Sequence, residues 1–186
     1  MNIDLYLFNL TVRCEPGWSE YENNCYFYED KQKKNWTEAQ EYCTQNDAEL
    51  ASVYSLDELK FMRNLSSQNA KDRCGTSGVF AENTGMGWIG GRRYGPREDQ
   101  TFRWIYDNTN ITKKFWQKNE PNNERSNENC TEVRCGEEKD SIKDSFRLND
   151  HTCNTPYNYF CKKKVAENVP ETTQSTQIQP DKGKIP

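Results

Sequence analysis

The chain is poor in apolar residues and in histidine, and its acidic residues outnumber its basic ones. Only 33% of its 186 residues are hydrophobic and the mean hydropathy is −1.15, which excludes a large oily core. No apolar run approaches the roughly 20 residues of a membrane-crossing helix. The formal charge is −4, and no basic stripe with interleaved aromatics occurs, so nucleic acid is excluded as the expected partner. His151 is the only histidine, and no nucleophile motif accompanies it. It reads as a loop histidine beside a site, touching a ligand at most, rather than as a general base. A glycosidase-type pair of carboxylates would have to be Glu120 and Glu128, which serve better as metal ligands. No enzyme and no catalytic residue is expected. Met1 to Leu10 is apolar in patches, but Asp4 and Asn9 interrupt it and no basic segment precedes it, a poor signal peptide. The expectation is a mature fragment or an ectodomain.

What is present compensates for the small core. Aromatics make up 12% of the chain and there are eight cysteines. Sequons stand at Asn9, Asn35, Asn64, Asn110 and Asn129. An even cysteine count beside glycosylation signals reads as a disulfide framework from an oxidising compartment, hence a secreted protein or an extracellular part of a membrane protein.

Along the chain, Cys14–Tyr28 reads as a small hairpin, with turn residues Pro16, Gly17, Asn23 and Asn24 between aromatic runs. The charged Lys31–Lys34 run reads as a solvated loop. Asn35 caps a helix reaching Cys43, with Glu38 at the third position and Trp36, Ala39, Gln40 and Cys43 on one face. Leu50–Val53 is a short strand. Ser55 caps a second helix with Glu58 three residues on, and Leu56, Leu59, Phe61 and Met62 supply its apolar side. Asn69–Gly87 reads as a long loop. Trp88–Gly91 reads as a buried strand and Thr101–Tyr106 as a half-buried one. Thr131–Cys135 and Tyr157–Cys161 are further strands. Residues 1–12 form an N-terminal extension, 13–165 one domain, and 166–186 a disordered Pro/Thr/Gln linker or stalk.

The stretch with chemistry in it runs from Glu120 to Cys153. Glu120, Asn122, Glu128, Asn149 and Asp150 offer only carboxylate and amide oxygens, which suit a hard cation such as Ca²⁺ rather than zinc. Pro121 makes the Glu120–Pro121 bond the one candidate for a cis peptide between two ligands. Cys130 and Cys153 are placed to pin the two halves of the site together.

These residues carry a resemblance. Cys14, Gly17-Trp18, Tyr21, Cys25-Tyr26, Trp36, Ala39, Cys43, Ala48, Leu50-Ala51-Ser52-Val53, Glu58, Phe61, Trp88-Ile89-Gly90, Glu120-Pro121-Asn122, Glu128-Asn129-Cys130, Asn149-Asp150, Cys153 and Cys161 stand in the order seen in C-type lectin domains. The resemblance covers about residues 14–164. It implies an α+β fold of two helices with two small antiparallel sheets and long irregular loops carrying the site. It implies bridges Cys14–Cys25, Cys43–Cys161 and Cys130–Cys153. It also implies that Glu120, Asn122, Glu128, Asn149 and Asp150 hold Ca²⁺, whose open positions take adjacent sugar hydroxyls. Carboxylates accept and amides donate to those hydroxyls. Glu-Pro-Asn in this family goes with mannose, fucose and N-acetylglucosamine, on cell surfaces or glycoproteins. The alternative is a domain of the same fold that binds a protein without sugar.

The chain departs from the family in three places. Leu148 stands where the family has a tryptophan before Asn149-Asp150. The segment between Cys130 and Asn149 is long. An auxiliary calcium site of some members needs acids just after the Trp-Ile-Gly strand, where Arg92 and Arg93 stand here, with Glu98 and Asp99 further on. Cys74 and Cys135 remain over, each in or beside a long segment, and are expected to bridge. Free thiols or a bridge between subunits are the alternatives.

Overall fold

The computed structural model describes residues 13–67, 86–95, 101–135 and 146–166, without the side chains of Ser67 and Arg125. The expected N-terminal extension, most of the Asn69–Gly87 loop, Cys74, Glu98, Asp99 and nearly all of the stalk lie outside the described residues. Gly87, expected as the last loop residue, opens a strand instead.

The first hairpin joins β1 (Ser19–Tyr21) to β2 (Asn24–Lys34). Its turn residues Glu22 and Asn23 have φ of 45° and 61°, the left-handed pair that a two-residue hairpin turn requires. Asn24, expected in the turn, pairs with Tyr21. β2 does not stop at Tyr28: it runs through the lysine-rich segment that reads as a solvated loop. Its Asn24–Glu29 stretch pairs with β8 (Tyr157–Lys164), and after a register shift Lys34 pairs with Tyr157. Strand pairing uses the backbone, so exposed charges along an outer stretch do not prevent it.

Helix α1 (Trp36–Gln45) starts at a complete capping box: Glu38 N donates to Asn35 Oδ1 at 2.9 Å, and Asn35 N donates to Glu38 Oε2 at 3.1 Å. Trp36, Ala39 and Cys43 are buried, and the Trp36 indole donates to the Ile89 carbonyl at 2.9 Å. Strand β3 covers Glu49–Leu50 and pairs with β8, so of the expected Leu50–Val53 strand only Leu50 is strand. Ala51 to Val53 continue buried but irregular, Ala51 N donating to Phe160 O and Ala51 O accepting from Gly90 N.

Helix α2 (Leu56–Ser67) is capped by Ser55, whose Oγ accepts from Glu58 N at 3.0 Å. Leu59 and Met62 face the core, but Leu56 is exposed. Glu58 faces inward instead. Its carboxylate accepts from the Tyr26 hydroxyl at 2.6 Å, Tyr54 N at 2.7 Å and Lys162 Nζ at 2.6 Å. A buried carboxylate is tolerated because each oxygen has partners.

The centre of the sheet is β4 (Gly87–Arg93), flanked by β5 (Phe102–Trp104) and β6 (Cys130–Cys135). A Cβ on Gly90 would run into the Leu50 carbonyl oxygen, so only glycine permits this approach of β3 to β4. β5 ends at Trp104, short of the expected Tyr106, because the chain turns there: Asn108 N donates to Trp104 O at 2.9 Å, and Tyr106 is 55% exposed. β7 (Phe146–His151) pairs with β6 and was not foreseen as a strand.

The strand order is β1-β2-β8-β4-β6-β7, with β3 on β8 and β5 on β4. The two small sheets expected meet at one parallel pair, Trp88↔Tyr159. The other pairings between the described strands are antiparallel. One buried cluster centres on Tyr26, Leu59, Met62, Ile89, Phe102, Trp104, Leu148 and Phe160. A second gathers Trp36, Cys43, Leu50, Trp88, Tyr159 and Cys161. Disulfides join Cys14–Cys25, Cys43–Cys161 and Cys130–Cys153, with Cα separations of 5.7, 5.4 and 5.2 Å. Cys135 is also disulfide-bonded.

Candidate metal and ligand site

Three pieces of chain build the site: the segment from Phe115 to Asn129, the ribbon β6–β7, and the end of β4. Phe115 and Trp116 are buried and anchor the segment. Trp116 bridges Leu148 in parallel, and Gln117 N donates to Leu148 O at 2.9 Å. Leu148 is fully buried among the core side chains. The chain then passes through the Glu120–Pro121 peptide, which is cis.

Asn149 and Asp150 are carried on strand β7, not on an irregular loop. In the β6–β7 register Asp150 faces Thr131, Asn149 faces Glu132, Arg134 faces Arg147, and Cys130 faces His151. Both Asn149 and Asp150 are buried at one end of this ribbon. The Cys130–Cys153 bridge closes that end.

Asp150 is the hub. Its Oδ1 accepts from Asn122 N at 3.0 Å and its Oδ2 from Asn123 N at 2.8 Å. Oδ2 also receives Arg93 Nη2 at 3.1 Å, an ion pair whose side chains are 3% and 0% exposed. Arg93 further donates to the Glu128 carbonyl from Nε at 3.1 Å and Nη2 at 2.8 Å, and its guanidinium lies over the Phe102 ring at 4.6 Å. Glu124 N joins two expected ligands, donating to Asn122 Oδ1 at 2.7 Å and Glu128 Oε2 at 2.8 Å. Asn123, at φ 50°, accepts from Glu128 N at 3.1 Å through its side chain. Backbone amides and one buried guanidinium thus hold the loop against β7.

Asn149 is 4% exposed. Its Nδ2 donates to Glu132 Oε1 at 3.1 Å and to the Asp150 carbonyl at 2.6 Å. Glu132 is itself fully buried on β6. Arg134 lies 3.7 Å from Glu120 Oε1 and 3.9 Å from Glu132 Oε1. Arg93, Asn123, Glu132 and Arg134 were all missed as site residues in the sequence reading. Only the alternation of Glu132 and Arg134 in a strand ending beside Cys130 hinted at them.

The electrostatics are those of crowded carboxylates. Burial, then the negative charge of Asp150, pushes the Glu120 carboxyl up to about 7. The same two causes raise Glu128, and burial pushes Glu132 up to about 7. Glu120 Oε2 and Glu132 Oε2 are buried without a hydrogen-bond partner. Oxygen donors with mutual repulsion and an unpartnered buried carboxylate oxygen fit a hard divalent cation. Among the described residues, no three His, Cys, Asp or Glu side chains are gathered tightly enough to hold a metal ion. Asp150's oxygens are instead taken up by N–H donors.

His151 is the last residue of β7 rather than a loop residue. Its ring packs edge-on to Trp88 at 6.0 Å and to Tyr157 at 5.2 Å, and burial lowers its pKa. That is an aromatic packing role.

A compact α+β module stapled by disulfides, with an oxygen-rich site on one ribbon end, is the class that fold and site define. The lectin C-type domain model matches residues 32–163, and the chain belongs to that family. Its members are in general binding domains without enzymatic activity. The mouse C-type lectin domain family 4 member F is 31% identical over 152 residues, covering 80% of this chain and 23% of that protein. Human C-type mannose receptor 2 is 28% identical over 156 residues, covering 83% and 9%. The chain thus spans less than a quarter of the length of either relative. The C-type lectin domain of murine dendritic cell inhibitory receptor 2, solved in complex with an N-glycan, superposes with a TM-score of 0.59 at 25% identity. That superposition covers 81% of this chain and 98% of that one. No described helix is long and apolar enough to cross a membrane.

Proposed function

We propose that this domain binds mannose-type sugars through a calcium ion held by Glu120, Asn122, Glu128, Asn149 and Asp150. The observation that carries the reading is the coupling of these residues around Asp150. Its carboxylate holds the Asn122–Asn123 backbone, while their own burial, and then the negative charge of Asp150, raise Glu120 and Glu128. The ion would supply open coordination positions for vicinal hydroxyls. The chain's own contribution is to place acceptor carboxylates beside donor amides, and Asn122, being exposed, is the amide available to a ligand. Glycans on cell surfaces or glycoproteins in the extracellular space are the partners that follow.

Retention on a mannose column in calcium, with elution by chelator, tests the reading. Asp150→Ala or Glu120→Ala should abolish both calcium affinity and retention while the disulfide-linked fold persists by circular dichroism. Wild-type mannan binding by either variant would show that the site is elsewhere. Exchanging Glu120 for Gln together with Asn122 for Asp should move preference from mannose toward galactose.

A second reading, a protein-binding domain without sugar, has a specific observation in its favour. Arg93 already supplies a buried positive charge to Asp150, so the loop is held without a metal ion. Chelator-insensitive capture of a protein ligand, with no sugar retention, would decide for it.

A further inference from the structure

Four of the five sequons lie among the described residues, and the fold treats them unequally. A sequon offers two groups: the asparagine amide nitrogen that takes the sugar, and the hydroxyl of the third residue by which the sequon is read. Asn129 is half-buried beside the bridged Cys130, and its third residue is Thr131. Thr131 is fully buried, its hydroxyl accepting from Gly91 N at 2.9 Å and donating to Gly91 O at 3.1 Å. Asn64 on α2 is exposed, but Ser66 is buried and its hydroxyl donates to Arg63 O at 2.9 Å. Asn35 is half-buried at the start of α1, and the next residue, Trp36, is buried.

Asn110-Ile111-Thr112 is different. Asn110 and Thr112 are both exposed, while Ile111 between them packs against the core. The segment is held by its backbone: Asn110 bridges Arg103, Ile111 N donates to Phe102 O at 2.8 Å, and Trp104 N donates to Thr109 O at 3.0 Å. Arg103 Nε donates to Asn110 Oδ1 at 3.0 Å. That bond fixes the amide by its oxygen, and among the described residues Nδ2 has no partner. The Thr112 hydroxyl, at the head of the short 3₁₀ turn Lys113–Phe115, caps nothing. An N-glycosidic amide keeps its carbonyl oxygen, so the bond from Arg103 is compatible with the modification.

We infer that Asn110 is the principal N-glycan acceptor of this domain and that Asn129 carries none. The donor class is an oligosaccharide linked to a lipid pyrophosphate. A bond forms between Asn110 Nδ2 and the anomeric carbon of the first sugar as that carbon's bond to the pyrophosphate oxygen breaks. The oxygen leaves with the electron pair, and Nδ2 gives up one proton. Folding withdraws the Thr131 and Ser66 hydroxyls, whereas Thr112 stays readable before and after. The inference stands apart from the sugar-binding reading and rests on passage through the oxidising compartment in which the disulfides form.

Secretion of the chain from insect cells, followed by amidase release of N-glycans in ¹⁸O-water, turns each occupied asparagine into a labelled aspartate for peptide mapping. Label should appear at position 110 in most molecules, less often at 35 and 64, and not at 129. Thr112→Ala should remove the glycan from Asn110, and Thr112→Ser should retain it. Dithiothreitol during synthesis, which delays bridging and folding, should bring label to Asn129 and leave Asn110 unchanged. An unmodified Asn110 in the secreted chain, or Asn129 occupied as fully as Asn110 without reductant, would overturn the inference. Label that stays off Asn129 in dithiothreitol would overturn burial as the cause.

Discussion

Glu120 and Glu132 carry the most telling residue-scale property of the site, carboxyl groups pushed up to about 7 by burial. The unfolded chain titrates such groups near 4.3. Between these values the calcium-free folded state binds more protons than the unfolded one, so its stability falls as pH rises from about 4.5 to 7. Without calcium, the thermal midpoint should therefore be higher at pH 5.5 than at pH 8. Calcium affinity should run the other way, weakening as pH drops below 7, because protons and the ion compete for the same oxygens. Thermal scans with chelator across that range, paired with calcium titrations, check both signs. A midpoint that rises with pH in chelator would contradict the burial of these groups. The carboxylate of Glu58 is paired with Lys162 and Tyr26 at 2.6 Å each. Glu58→Ala strands both partners in the interior and should cost about 3–5 kcal/mol in chemical denaturation. Glu58→Gln, which retains an acceptor, should cost less.

At the scale of elements, the loop from Gln117 to Asn129 is fastened to β7 and β4 by hydrogen bonds that converge on Asp150 and Arg93. Arg93 occupies the region where some relatives place acids for an auxiliary ion, and its guanidinium reaches Asp150 and the Glu128 carbonyl directly. The buried cation thus serves the loop as an internal strut. Arg93→Gln should leave the sheet intact but expose the Asn122 and Asn123 amides to faster hydrogen exchange in chelator. Calcium should then raise the thermal midpoint by more than it does in the parent. Exchange at these amides unchanged by the substitution would show that Asp150 holds them unaided. Arg93→Lys keeps the charge but loses the forked donors and should fall between the two.

Across the whole molecule, the longest covalent constraint is Cys43–Cys161, which spans 118 positions and ties α1 to β8. Replacing both cysteines with alanine should cost about 2–5 kcal/mol, visible as a lowered denaturation midpoint. Cys130–Cys153 closes only 23 positions and lies at the site. Its loss should weaken calcium binding out of proportion to its effect on global stability. Both substitutions giving the same ratio of affinity to stability loss would argue against a local role. Cys135 is bonded, and its proposed partner Cys74 can be assigned by mass spectrometry of non-reduced peptides. A free thiol at Cys74 would exclude the pairing.

What was legible in the chain alone is what short-range chemistry determines. The capping box of α1 depends on residues three apart, the hairpin turn on two residues with left-handed backbone, and the disulfide-rich, small-core character on composition. The five proposed oxygen donors could be nominated because their residue types and their spacing from cysteines are local facts. The tertiary structure decided the rest, because it depends on register and on contacts between distant residues. Asp150 meets Arg93 across 57 positions and Asn122 across 28, and Asn149 meets Glu132 across 17. Hydropathy patterns do not encode such pairings. Leu56 turned outward and Glu58 inward on α2 for the same reason, since Tyr26 and Lys162 arrive from other strands to receive the carboxylate. Arg134 and Arg147 face one another only because β6 and β7 pair in one register and no other, and a shift of one residue would send their side chains to opposite faces.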